Sequence, residues 1–115
     1  MIFITQLYKE IYEKKAFDQM DKYISGDVAF YKNFSRPLSY DAFKKHLVDQ
    51  GEECIKINML PFDTILASGN KIVTLYTRNC TDKFNKKHKR RVMAITEINS
   101  RRMISKIWVV SNEES

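Results

Sequence analysis

Lys71-Ile72-Val73-Thr74-Leu75-Tyr76-Thr77-Arg78-Asn79-Cys80-Thr81 decides the fold. Its β-branched and aromatic residues suit a pleated, half-buried surface. Successive side chains of a strand point to opposite faces, so Thr74, Tyr76, Arg78 and Cys80 share one face. Two orientations are open for Arg78: into a pocket, or onto an exposed sheet face. Ser68-Gly69-Asn70 upstream reads as a hairpin turn. Downstream come a polar, basic turn over 82–88, a strand over 92–98, a turn at Asn99-Ser100 and a last strand over 103–110. Before the hairpin, 54–60 sets Ile55, Ile57 and Met59 against Lys56 and Asn58, until Pro61 interrupts or marks an edge or bulge. The second half of the chain is thus an antiparallel meander.

The first half has a different period. Ile4, Leu7, Tyr8, Ile11 and Tyr12 form the stripe of an amphipathic helix over 2–15. A short helix fits 16–24, with Phe17, Met20 and Ile24 on one side. Ser25-Gly26-Asp27 reads as a turn and 28–31 as a short strand. A third helix starts at Ser39, a suitable N-cap, carries Phe43, His46 and Leu47, and meets a stop signal at Gly51. Helices first and antiparallel strands after them give an α+β fold, with three N-terminal helices packed on a curved, mixed but mostly antiparallel sheet. One domain over 1–111 and a short tail over 112–115 are expected.

The formal charge of +6 is concentrated in one place. Lys83-Phe84-Asn85-Lys86-Lys87-His88-Lys89-Arg90-Arg91 holds six Lys or Arg and no acid, so the rest of the chain is neutral. Lys83, Lys86, Lys87, Lys89, Arg90 and Arg91 form a candidate basic surface at a hairpin tip, outside any cavity. It suits a weak contact with nucleic acid, acidic protein or membrane surface, or is simply a solvated tip. Lys9 and Glu10 interrupt the apolar N-terminus too early for a signal-peptide core, and no run is long enough to span a membrane. An integral membrane protein is not expected. Cys54 and Cys80 have no metal-ligand spacing. A disulfide between them is open; the reading adopted is buried thiols in a reducing, cytoplasmic compartment. No metal or cofactor is expected.

Leu7-Tyr8-Lys9-Glu10-Ile11-Tyr12 with Ala16-Phe17-Asp18, and Tyr23-Ile24-Ser25-Gly26-Asp27-Val28-Ala29-Phe30-Tyr31, are similar to the opening of the nuclear transport factor 2 (NTF2)-like superfamily, SnoaL-like group. Ser39-Tyr40-Asp41-Ala42-Phe43-Lys44-Lys45-His46-Leu47, Ala67-Ser68-Gly69-Asn70-Lys71-Ile72-Val73 and Met103-Ile104-Ser105-Lys106-Ile107-Trp108 resemble its later elements. The resemblance implies a cone, hollow enough for a small molecule, and a homodimer through the outer sheet face.

The resemblance also implies where catalytic acids would stand. A ketosteroid isomerase-like base belongs near Phe30-Tyr31-Lys32-Asn33, which holds no carboxylate. A SnoaL-type cyclase acid belongs just after Trp108, where Val109-Val110-Ser111-Asn112 stands, and Glu113 is the first acid. An epoxide hydrolase-like site would set acids about Arg78; Asp63, of open orientation beyond Pro61, and Glu97 are not obvious neighbours of it. A scytalone dehydratase-like set is present in part as Tyr8, Tyr12, Tyr31, Tyr76 and His46, although His46 reads as a packed or surface residue and His88 as solvated. The expected reading is a binding domain without the usual catalytic acids, leaning away from an enzyme. Its ligand, small and apolar or aromatic, would sit against Tyr8, Tyr12, Phe30, Phe43, Tyr76, Arg78 and Trp108. An inward Arg78 would favour an anionic or carbonyl-bearing ligand. The alternatives are an isomerase, cyclase or dehydratase using Asp63 or Glu97, and an interaction module using the basic hairpin.

Overall fold

A computed structural model describes residues 2–114. The first helix, α1, is α-helical over Ile2–Leu7 and continues as a π-helix over Tyr8–Glu13. Ile4, Leu7, Tyr8 and Ile11 are buried along the expected stripe. The wider turns end where the Lys14 N–H donates to the Lys9 carbonyl at 2.9 Å. The next helical segment, Phe17–Lys22, is a 3₁₀-helix that buries Met20. Ile24 belongs instead to β1, Ile24–Lys32, and the expected Ser25-Gly26-Asp27 turn lies within a bulged stretch of that strand.

Helix α2 spans Tyr40–Glu53, and the Ser39 hydroxyl accepts from the Ala42 N–H at 3.4 Å. Phe43 and Leu47 point into the core. The helix runs through Gly51 and does not stop there. A Cβ at that position would come 3.2 Å from the Phe17 ring, so glycine is what lets the 3₁₀ segment pack closely. The Lys15 ammonium donates to the carbonyls of Gly51 and Cys54, a cation on the C-terminal end of the helix dipole.

The sheet holds β1, β2 (Cys54–Asn58), β3 (Thr64–Ser68), β4 (Lys71–Asp82), β5 (Lys87–Ile98) and β6 (Ile104–Glu114). Its order is β1-β6-β5-β4-β2, with β3 pairing β4 as well. Only the β1–β6 pair, among these strands, is parallel. The expected α+β cone is therefore the fold. The residue pattern assigns no strand to 64–68, which forms β3 at the outer edge. It also ends the second strand too late and misses a register shift between Cys54 and Lys56 that turns Ile55 out to solvent. β5 begins at Lys87, inside the segment expected to be a turn, and β6 runs on to Glu114, taking in residues expected to be a tail.

Cys54 and Cys80 are joined by a disulfide, with Cα atoms 5.5 Å apart. This corrects the free-thiol reading: antiparallel pairing of β2 with β4 faces both side chains inward at bonding distance. With the thiols joined, they no longer argue for a reducing compartment. Among the described residues no helix is long and apolar enough to cross a membrane.

Glu13 fastens α1 to the sheet. Its Oε2 accepts from the backbone N–H groups of Met59 and Leu60 at 2.6 and 2.9 Å. Removing the carboxylate leaves two donors without this acceptor. Glu13→Ala is expected to lower unfolding stability by about 1–3 kcal/mol, and equilibrium urea denaturation checks it; an unchanged midpoint would show that water replaces the carboxylate without loss.

Candidate functional site

The inner sheet face and the helices enclose an aromatic floor. The Tyr8 ring lies 4.6 Å from Tyr12, 5.2 Å from Tyr76 and 4.9 Å from Phe62, centroid to centroid. Burial raises the pKa values of Tyr8, Tyr12 and Tyr76, the latter two strongly. These phenols stay neutral and serve as donors and walls. Phe30 stacks on Phe43 at 4.4 Å and lies 5.7 Å from His46.

Above the floor is a narrow cavity of about 40 Å³, lined by Tyr12, Phe30, Phe43, Tyr76 and a polar set made of Lys32, His46, Arg78, Arg90 and Ser111. A water needs roughly 10–15 Å³ measured this way, so the space takes a few waters or one small functional group. It meets a wider cleft of about 410 Å³ at the mouth of the cone, lined by Glu53, Cys54, Cys80, Lys83, Phe84 and His88. Arg78 and Arg90 border both spaces.

The geometry answers the open orientation of Arg78: it points inward and is only 9 % exposed. Its Nη2 lies 3.5 Å from Cys54 Sγ, and its Nε has no hydrogen-bond partner among the described residues. Burial lowers its affinity for its proton, and the charge of Arg90 adds to this. Lys32 is lowered by burial, then by Arg90 and Arg78. His46 is lowered by burial, then by Lys32 and Arg78, which favours the neutral imidazole. Glu53, at the end of α2, is the carboxylate that opposes all three shifts. Mutually repelling cations about a small cavity make a field for an anion. A neutral imidazole beside them is chemically able to take a proton from a bound ligand.

Of the residues expected to line the pocket, Tyr12, Phe30, Phe43, Tyr76 and Arg78 do border the cavity. Tyr8 lies beneath them, fully enclosed by Tyr12, Tyr76 and Phe62. Trp108 is a correction: it stacks on Tyr31 at 5.6 Å and faces an outer groove with Phe34, Met93, Ile95 and Val110. Strand parity explains this, because Ile107 and Val109 take the inward positions of β6. Lys32, which stands where the resemblance places a base and could act as one only if strongly desolvated, lines the cavity, and Glu53 lies beyond the expected helix stop. Alternation with Phe30 could have found Lys32; the extra helical turn beyond Gly51 hides Glu53.

The basic segment is not one patch outside the cavity. Arg90 faces the cone interior, while Arg91 pairs with Asp63 and donates to Thr77 at 2.7 Å. Lys87 and Lys89 line a separate groove with Lys56, and Lys83 borders the cleft. The candidate acids are also committed elsewhere: Asp63 to Arg91, and Glu97 to Lys71 and Lys106 at 3.3 and 3.9 Å. Among the described residues, no cluster of three or more His, Cys, Asp and Glu side chains could hold a metal ion.

No family model matches the chain, and no curated protein matches it. Its fold is shared with solved structures at low identity. A Jannaschia sp. protein assigned as a SnoaL-like polyketide cyclase superposes with TM-score 0.82 at 5% identity, covering 96% of this chain and 83% of that one. A Xanthomonas campestris protein assigned as a polyketide cyclase gives 0.79 at 16% identity, covering 94% and 87%. An LEH-like epoxide hydrolase of M. tuberculosis gives 0.75 at 16% identity, covering 94% and 79%. These likenesses show that the chain shares the α+β cone fold of those proteins.

The cleft wall depends on Asp82. Its Oδ1 accepts from the N–H groups of Phe84 and Lys86, both at 2.9 Å, and its Oδ2 lies 2.9 Å from His88 Nε2. The His88 contact, then the backbone N–H groups, hold the carboxyl below the usual aspartate range. A carboxyl depressed in the folded state stabilises above its unfolded value, about 3.9, and loses that contribution as pH falls through the folded value. Asp82→Asn is expected to melt below the wild type at neutral pH, and the two curves to converge in acid; a pH series of thermal melts reads this.

Proposed function

We propose that this chain binds a small molecule whose anionic head group enters the narrow cavity against Arg78, Lys32 and Arg90. The ligand's apolar or aromatic body then rests in the outer cleft beside Phe84 and the cystine. The observation that carries this is the Arg78 guanidinium, buried to 9 % exposure with Nε unpaired among the described residues. A planar fork of donors matches a carboxylate or phosphate. The inner space of about 40 Å³ suits such a group, and the cleft of about 410 Å³ lies in the range of small-ligand sites. Thermal-shift screening and calorimetry with benzoate and phenyl phosphate against benzamide test the reading. The charged compounds are expected to raise the melting temperature, and Arg78→Met to weaken them about tenfold or more. An equal response to benzamide, or none to any, would overturn it.

Proton transfer is a second reading, favoured by His46, which faces the same cavity and is held neutral by burial, Lys32 and Arg78. A bound carbon acid would then exchange its acidic C–H with D₂O, with the cations stabilising the resulting enolate. Loss of that exchange in His46→Gln, with ligand binding retained, separates this from simple binding.

The partner proposed for the outer sheet face is a second copy of the chain. Phe34 is 92% exposed and Met93 44%, and together with Ile95, Trp108 and Val110 they make an apolar groove there. Light scattering is expected to give a dimer mass, and Met93→Glu a monomer with unchanged melting behaviour. A wild-type monomer at every concentration would end this part of the proposal.

A further inference from the structure

The cystine that ties β2 to β4 is also a wall of the outer cleft, facing Arg78, Arg90 and Lys83. Its two halves differ in their surroundings, although both are buried, at 8 % exposure for Cys80 and 1 % for Cys54, and both line this cleft. Cys54, not Cys80, has its Sγ 3.5 Å from Arg78 Nη2. A nucleophile in the cleft meets a disulfide to which both cysteines contribute, and Cys54 is the sulfur set beside a buried cation.

We propose that Cys54–Cys80 is a thiol–disulfide exchange site for small anionic thiols. In the step, a thiolate RS⁻ attacks Cys80 Sγ along the disulfide axis. A new R–S–S–Cys80 bond forms, the Cys80–Cys54 bond breaks, and its electron pair leaves on Cys54 as thiolate. The incoming thiol is oxidised to the level of the mixed disulfide and Cys54 is reduced, so no further reactant is needed. A disulfide opens faster when its leaving thiolate is stabilised, and the Arg78 guanidinium is placed to do that in a site largely shielded from water. Arg78, Arg90 and Lys83 border the cleft in front of the cystine, so a negatively charged thiol is concentrated there and a positively charged one is repelled. This inference goes beyond ligand binding and stands without it, because no bound ligand takes part.

The test uses the whole chain purified without reductant. Opening by 2-mercaptoethanesulfonate and by cysteamine is followed by mass spectrometry, each rate normalised to the same thiol acting on a small uncharged disulfide. The freed thiol is alkylated and located by peptide mapping. The expected product carries the mixed disulfide on Cys80 and the alkyl group on Cys54. The anionic thiol is expected to be about tenfold faster after normalisation, and to lose that advantage in about 0.5 M salt. Arg78→Met is expected to slow opening about tenfold, and Arg78→Lys to restore most of the rate. Should Arg78→Met fail to fold, Lys83→Met in the cleft wall still reads the charge preference, which it is expected to reduce. An adduct on Cys54, equal normalised rates for the two thiols, or two free thiols that do not close under oxidation would each overturn the proposal.

Discussion

A strand with hydrogen-bonded neighbours on both edges cannot slip by one residue without turning every side chain to the other face. β4 is held in this way. β5 pairs with it from Lys71 to Thr81, while β3 takes Lys71 to Leu75 on the other edge and β2 takes Asn79 to Asp82. The inward series is thereby fixed as Ile72, Thr74, Tyr76, Arg78 and Cys80. It runs from apolar to cationic toward the mouth of the cone. Aromatic floor, buried arginine and cystine are three successive inward positions of one strand, so their spacing is that of the pleat.

Placing a guanidinium inside this face is costly unless its charge and its donors are met. The residues around Arg78 meet them only in part. Glu53 offsets some of the charge, and Cys54 sulfur is a weak acceptor. Arg90 and Lys32 add like charge in place of relief. A fold that retains such an arrangement gains most when an anion enters. A Leu or Met at position 78 would serve packing better than Arg. The buried cation is therefore better accounted for by an occupant than by stability.

Much of this was legible in the residues because period two and period 3.6 are strong signals. The meander, the α1 stripe, the Ser39 cap and the inward set of β4 all follow from side-chain spacing. What was not legible depends on pairing between distant segments. The parallel β1–β6 contact, the bulge that turns Ile55 outward and the β2–β4 closure that joins Cys54 to Cys80 are not local properties. Trp108 shows the limit sharply. A large aromatic near the end of a strand suits either face, and only the register of β6 against β5 and β1 decides that it packs on Tyr31 outside.

The basic segment carries the same lesson into electrostatics. In sequence, 83–91 is a single block of charge, and a block invites a single partner. As a strand its residues diverge by parity: Arg90 turns to the cavity, while Arg91 turns out to Asp63. Asp82 removes further freedom by binding His88 and the turn's N–H groups. The block thus adds a cation to the cavity wall and shapes the cleft beside it. Because an inward cation next to Arg78 acts at short range in a poorly solvated space, while an exposed lysine is screened by salt, Arg90 matters more to what this cone can bind than the outward lysines do.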